Sequence, residues 1–225
     1  MTFSLVARCA RSGSFGIAIS SSSPCVAARC AHARPGVGAV LSQNITDPRL
    51  GPAGLDLLQS GLSADAALAA LRRHAGDALP YRQLALVDRH GEARAFSGAM
   101  ALGIHAQCTA PDVVAAGNLL ANRYVPEAMA EHFRARPDAA LGARLIGALR
   151  AGLTAGGEAG PVRSAGLLIV GEAAWPVADL RVDWADDPLG DLEALWRLWE
   201  PQMEDYVRRG LDPTAAPSFG VAGDP

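Results

Sequence analysis

The stretch from Thr2 to Ser23, TFSLVARCARSGSFGIAISSSS, decides how the rest of the chain is read. TFSLVARC alternates small or polar residues with apolar ones at the two-residue period of a strand, and FGIAISSSS returns in the same manner. RSGS lies between them, with Gly13 at the position where a hairpin commonly needs backbone freedom. CVAARCAHA and GVGAVLSQN read as two more short strands separated by RPG at Arg34–Gly36, so the first quarter of the chain is almost entirely β.

The period then changes. GPAGLDLLQSGLSADAALAALRRHAG reads as two short helices, the first ended by Gly61 and the second capped by Ser63 with Asp65 in its first turn. YRQLALVDRHGEARAFSG is a hairpin turning near His90 and Gly91, and GIHAQCTAP adds a strand. NLLANRYVPEAMAEHFRAR and ALGARLIGALRAGLTAGG are amphipathic helices, with Pro126 near the start of the first. SAGLLIVGE and PVADLRVDW are strands, and LGDLEALWRLWEPQMEDYVRRG closes the order as one helix. Trp196 and Trp199 recur there at helical spacing, which marks packing rather than a cofactor box.

Strands and helices come in blocks, not in single alternation, so a doubly wound parallel sheet is excluded. The pattern predicts an α+β fold, a four-layer αββα sandwich of two mainly antiparallel sheets with helices outside. One domain spans residues 1–210, and the Pro/Gly/Ala-rich residues 211–225 form a tail. Half the residues are hydrophobic but only 5% are aromatic, so the core is built from small aliphatic side chains.

Composition removes several functions. A net charge of -3 without a basic stripe argues against a nucleic-acid partner. No apolar run approaches the ~18 residues of a membrane span, and the opening residues lack a secretory pattern, so a cytoplasmic protein with reduced thiols is expected. All 20 basic residues are arginine, which rules out a Schiff-base, Walker or Ser-Lys lysine. Cys25, Cys30 and His32 lack an evident fourth ligand, so no metal is expected. AGGEAG follows a helix and precedes a strand, the reverse of a dinucleotide fingerprint, and no cofactor is expected.

Thr2 is the residue with chemistry to offer. A threonine hydroxyl is a weak nucleophile until a base takes its proton, and an N-terminal threonine carries that base as its own α-amine. That amine titrates near ~7.7–8.0, so much of it is neutral in working conditions. The requirement is removal of Met1, and threonine is small enough at the second position for methionine aminopeptidases to accept.

MTFSLVAR, FGIAISSSS, GVGAVLSQN, GPAGLDLL, YRQLALVD, GNLL, ALRAGLTAGGE and DLRVD occur in the order found in the family called domain of unknown function 1028. The chain resembles that family from Thr2 to about Trp199. The family is grouped with the N-terminal-nucleophile hydrolases, and the resemblance implies the αββα sandwich and amide-bond hydrolysis with Thr2 as nucleophile. Two features depart from the pattern. Glu158 and Val162-Arg163 stand where the family carries an aspartate and a Gln-Ser-Ala step, and proteasome-like relatives place a lysine beside the threonine where this chain has none.

Other candidates surround this reading. Ser20 to Ser23 end the second strand, where they are either a solvated strand end or polar groups beside the nucleophile, and Ser22 is the preferred contact. Gln43 and Asn44 close AVLSQN and either hydrogen-bond a substrate amide or cap the loop. Arg82, beside Gln83 at a strand start, either clamps a carboxylate or pairs with an internal acid. Asn118 either caps a helix or lends its carboxamide to an oxyanion hole. Glu158 is assigned to substrate binding. The expected partner is a small polar amide, and the apolar stripe on the final helix suits self-association. The competing reading is a small-molecule-binding protein without catalysis; a cysteine enzyme using Cys25 or Cys30 ranks third.

Overall fold

The computed structural model describes residues 2–221. β1 (Thr2–Arg8) and β2 (Phe15–Ser21) form the opening hairpin, with Phe3 opposite Ser20 and Arg8 opposite Phe15. They lie at the centre of a six-stranded sheet that also contains β7 (Ala106–Ala110), β8 (Val113–Asn118), β9 (Ser164–Val170) and β10 (Pro176–Val182), in the order β10-β9-β2-β1-β8-β7. β3 (Ala31–Arg34), β4 (Gly38–Asn44), β5 (Arg82–Asp88) and β6 (Ala93–Ser97) form a second sheet in chain order. Every pairing is antiparallel.

Three apolar clusters define four layers. Alternation along β1 sends Phe3, Leu5 and Ala7 outward to a core shared with α4 (Val125–Arg134), α5 (Leu141–Thr154) and α6 (Pro188–Trp199). Val6 points the other way, into a layer with Ile17, Ile19, Leu41, Val87 and Val114 between the sheets. Val40, Leu84 and Leu86 face α2 (Leu50–Gln59) and α3 (Ala64–His74) on the far side. The architecture is the αββα sandwich.

Local chemistry agrees at several points. Ser63 caps α3 by accepting from the Ala66 N–H, and Gly61 and Gly91 take the positive φ that their turns need. Trp196 is buried in the outer core, and a Cβ on Gly142 would meet its ring at 2.4 Å, so α5 and α6 approach closely because position 142 has no side chain. Leu198 on the same helix is 67% exposed.

Three sequence expectations are corrected. CVAARC is not a strand: Val26–Cys30 form a short helix, α1, and only Ala31–Arg34 pair as β3. Arg29 donates to the carbonyls of Pro24 and Cys25, tying the helix to its own entrance. Val113–Asn118, not recognised in the sequence, is strand β8, and all six of its residues are buried, so it has no alternation to read. The closing helix is two: α6 ends at Trp199, a 3₁₀ turn contains Pro201, and α7 runs Met203–Leu211. Proline lacks the N–H and the clearance that an uninterrupted helix requires.

Candidate active site

The alternation that builds the inter-sheet core also builds the site. On β1 the inward positions are Val6, Ser4 and Thr2; on β8, Val114, Ala116 and Asn118; on β2, Ile17, Ile19 and Ser21. On β4 and β5 the same parity carries Leu41 and Val87 at the apolar end and Gln43 and Gln83 at the other. The layer between the sheets is therefore aliphatic at one end and hydrogen-bonding at the other, and Thr2 lies at the polar end.

Thr2 is 6% exposed and stands directly opposite Asn118 in the β1–β8 register. On its other flank, its hydroxyl donates to Ser21 Oγ at 3.4 Å. Behind it runs a network with one consistent assignment. The Gly117 carbonyl can only accept, so the Gln83 amide nitrogen must face it, at 3.0 Å; the same nitrogen donates to Ser97 Oγ at 2.9 Å. Gln83 Oε1 then accepts from Gln43 Nε2 at 2.8 Å and from Asn118 Nδ2 at 3.0 Å. Gln43 Oε1 in turn accepts from the Ser4 hydroxyl at 2.6 Å.

Gln83 is thus saturated, and the deficit falls on Asn118. Among the described residues its buried Oδ1 has no hydrogen-bond partner, and one of its two amide hydrogens is committed to Gln83. A buried polar atom left unpaired costs about 1–3 kcal/mol, and this one lies on the same inter-sheet face as the Thr2 hydroxyl.

Glu158 closes the end of the site. The glycine pair after α5 ends the helix with positive φ at Gly156 and Gly157, and the Gly157 N–H returns to the Gly152 carbonyl at 2.9 Å. Glu158 then bridges to Leu120, just beyond the end of β8. Its carboxylate accepts from the Ser22 N–H at 3.1 and 3.2 Å, at the end of β2. Since β1 lies between β8 and β2, Glu158 spans the mouth of the strand that begins with Thr2. Burial pushes its carboxyl up to about 7, against the pull of the Ser22 hydrogen bonds.

The candidates read from sequence divide by strand parity. Thr2, Asn118 and Gln43 share the inter-sheet face. Asn118 does not cap α4, whose N-cap is Tyr124; it ends β8. Ser22 reaches the site through its backbone N–H, and Ser21 is the serine whose hydroxyl meets Thr2. Asn44 and Arg82 do not join the group. They pair with each other in the β4–β5 register, one residue out of phase with Gln43 and Gln83. Asn44 donates to the Tyr81 carbonyl at 2.6 Å and accepts from the Leu102 N–H, while Arg82 donates to the Ile45 carbonyl and lies 3.9 Å from Asp47. The 3.9 Å approach to Asp47 matches the internal-acid alternative for Arg82, while its buried Nε has no partner among the described residues.

Ser4 and Ser97 were not singled out in the sequence. Two-residue counting from Val6 back to Ser4, and from Ala93 to Ser97, would have found both. Cys30 is buried, with its thiol pushed up by desolvation and 3.6 Å from Thr46 Oγ1. Among the described residues no three His, Cys, Asp or Glu side chains converge as a metal site, and no helix is long and apolar enough to cross a membrane. A cavity of about 650 Å³ between α2 and α3 belongs to the outer helix layer and contains none of the site residues.

Comparison with known proteins adds a family and a fold. The family described as "Family of unknown function (DUF1028)" matches residues 2–192. No curated protein matches the sequence. The crystal structure of a Silicibacter pomeroyi protein placed in that family is similar over 92% of this chain and 90% of its own, with 30% identity and a TM-score of 0.84. Anbu (ancestral beta-subunit) from Yersinia bercovieri aligns over 92% of this chain and 97% of its own, at 13% identity and a TM-score of 0.40. Anbu from Hyphomicrobium sp. strain MC1 aligns over 92% and 98%, at 12% identity and a TM-score of 0.41. Those two likenesses are too slight to carry a statement about function.

Proposed function

Because this chain belongs to the DUF1028 family of unknown function, its activity must be argued from its own site, and we propose that it is an N-terminal-nucleophile amidohydrolase acting on a small polar amide. The observation that carries the reading is the pairing of Thr2 with an incompletely satisfied carboxamide. Among the described residues Asn118 has one acceptor without a partner and one amide hydrogen not engaged by Gln83. A donor and an acceptor on one group are the complement of a substrate amide, and they stand opposite a hydroxyl that can attack it.

In this mechanism Met1 is removed and the α-amine of Thr2 is free. Thr2 Oγ1 attacks the carbonyl carbon while the amine takes the hydroxyl proton. Negative charge collects on the carbonyl oxygen, where the remaining Asn118 hydrogen stabilises it. The intermediate collapses with cleavage of the C–N bond, and the ammonium returns the proton to the leaving nitrogen. Water, deprotonated by the same amine, attacks the resulting ester; the carboxylic acid departs and the threonine hydroxyl is restored. Glu158, across the mouth of β1, is placed to hydrogen-bond the freed amine and hold it against the Thr2 hydroxyl. Gln83 and Gln43 orient Asn118 and do not meet the substrate.

The low exposure of Thr2 favours a second reading, in which the site binds a small amide without turnover. Hydrolysis of an amide panel by the untagged protein, Thr2→Ser and Thr2→Ala separates the two. Catalysis requires measurable product from the parent and Thr2→Ser and none from Thr2→Ala. Turnover by Thr2→Ala sinks the mechanism, and ligand-induced stabilisation without product supports binding alone.

A further inference from the structure

The far end of β1 carries a second constellation that amide hydrolysis does not use. From Thr2 to Arg8 the strand runs about 20 Å at ~3.4 Å per residue. There a cavity of about 200 Å³ is lined by Arg8, Arg11, Arg134 and Arg144, with Phe133 and Asp112 among the remaining walls. Four cations against one carboxylate stand out in a chain whose net charge is -3.

These charges are poorly compensated. Arg8 meets Asp112 at 3.0 Å, but its buried Nε has no partner among the described residues. Arg11 donates to the Asp138 and Ala139 carbonyls at 3.0 and 3.4 Å, but it meets a carboxylate, that of Asp138, only at 3.9 Å, and that carboxylate is 93% exposed. Among the described residues, no carboxylate lies within ion-pair distance of Arg134 or Arg144.

Arg144 is the most telling, because it is 7% exposed. Its guanidinium carbon sits 3.8 Å over the Phe133 ring, and its Nε and Nη2 donate to the Phe133 carbonyl at 3.2 and 3.1 Å. A ring and a carbonyl fix the plane of the guanidinium but supply no counter-charge, and the N–H groups not used on Phe133 remain available. Burial accordingly pushes the Arg144 guanidinium down from its ordinary value. A buried cation in this setting is stabilised by an anion that enters with it.

We propose that this cavity is an oxyanion site that receives the phosphoryl group of a small molecule. Its volume lies below the ~300–1,000 Å³ of drug-sized ligand pockets, so it suits a compact head-group rather than a whole cofactor. Guanidiniums from β1, the loop after it, α4 and α5 approach from different directions, as a tetrahedral dianion demands and a single planar carboxylate does not. The inference does not depend on the role of Thr2.

Isothermal titration of the full chain at constant ionic strength tests it, with inorganic phosphate, glycerol 3-phosphate and acetate as probes. Saturable binding of a phosphoryl probe, with acetate at least about tenfold weaker, is expected. A tighter glycerol 3-phosphate would identify a phosphate ester as the ligand, and equal affinities would identify free phosphate. Arg144→Met risks the fold, since Arg144 also holds the end of α4. The decisive variant is therefore Arg11→Ala/Arg134→Ala, whose side chains are exposed. It should lose about tenfold or more in phosphate affinity with an unchanged melting temperature, and Thr2→Ala should bind as the parent does. Absence of millimolar phosphate binding, or undiminished binding in the double variant, overturns the proposal.

Discussion

Replacing Gln83 by leucine tests the polar network directly. The substitution keeps the side chain's approximate size and the strand pairing, but removes the one oxygen that accepts from both Gln43 Nε2 and Asn118 Nδ2. Both donors belong to fully or nearly fully buried residues, Gln43 at 2% exposure and Asn118 at 0%. Each stranded donor costs about 1–3 kcal/mol, so Gln83→Leu should destabilise by about 2–6 kcal/mol. That is a large share of the ~5–15 kcal/mol typical of a folded domain. With a urea m-value near ~3 kcal/mol/M, the midpoint should fall by roughly 0.7–2 M at unchanged slope. Gln43→Leu/Gln83→Leu should cost less than the sum of the single changes, because the amide that Gln83→Leu strands is then gone. A loss below ~0.5 kcal/mol for Gln83→Leu, or strict additivity in the pair, would refute the network as described.

Three further outcomes follow from the same geometry. Glu158 has its carboxyl raised from 4.5 to about 7, so the folded protein holds that proton more tightly than the unfolded chain. The associated stability, on the order of 3 kcal/mol, is complete below the unfolded value and is lost as pH rises through about 7; Glu158→Gln should flatten the melting temperature between pH 5 and 8, and an unaltered slope would assign the titration elsewhere. Asn118→Ala should lower kcat on a hydrolysed amide by about 10²–10³-fold, whereas an unchanged kcat with a raised KM would reduce Asn118 to a binding contact. Ser63→Ala should cost about 1 kcal/mol through loss of the α3 cap, checked by urea titration, with hydrolysis unaffected.

Much of this architecture is visible in the sequence because one period governs both core and site. In β1 the step that places Val6 between the sheets also places Thr2 there, so a strand reading of TFSLVAR already assigns the face of Thr2, the proposed nucleophile. The same counting separates Gln43 from Asn44 and Gln83 from Arg82, which residue chemistry alone does not. What was illegible came from burial on both faces and from long-range contacts. VVAAGN has no polar face, so the strand that sets Asn118 opposite Thr2 reads as a featureless apolar run. Glu158 reaches Ser22 across 136 residues, a meeting produced by sheet order rather than by any local motif. The helix Val26–Cys30 was masked by an apolar run too short to reveal its period.

Whether Thr2, bearing a free amine, is the nucleophile is decided by intact mass of the untagged protein before and after treatment with a β-lactone that acylates activated hydroxyls. The account predicts a chain lighter by one methionine and a single adduct that maps to Thr2, absent from Thr2→Ala. A chain that retains Met1 yet hydrolyses amides, or an adduct that persists in Thr2→Ala, would contradict it.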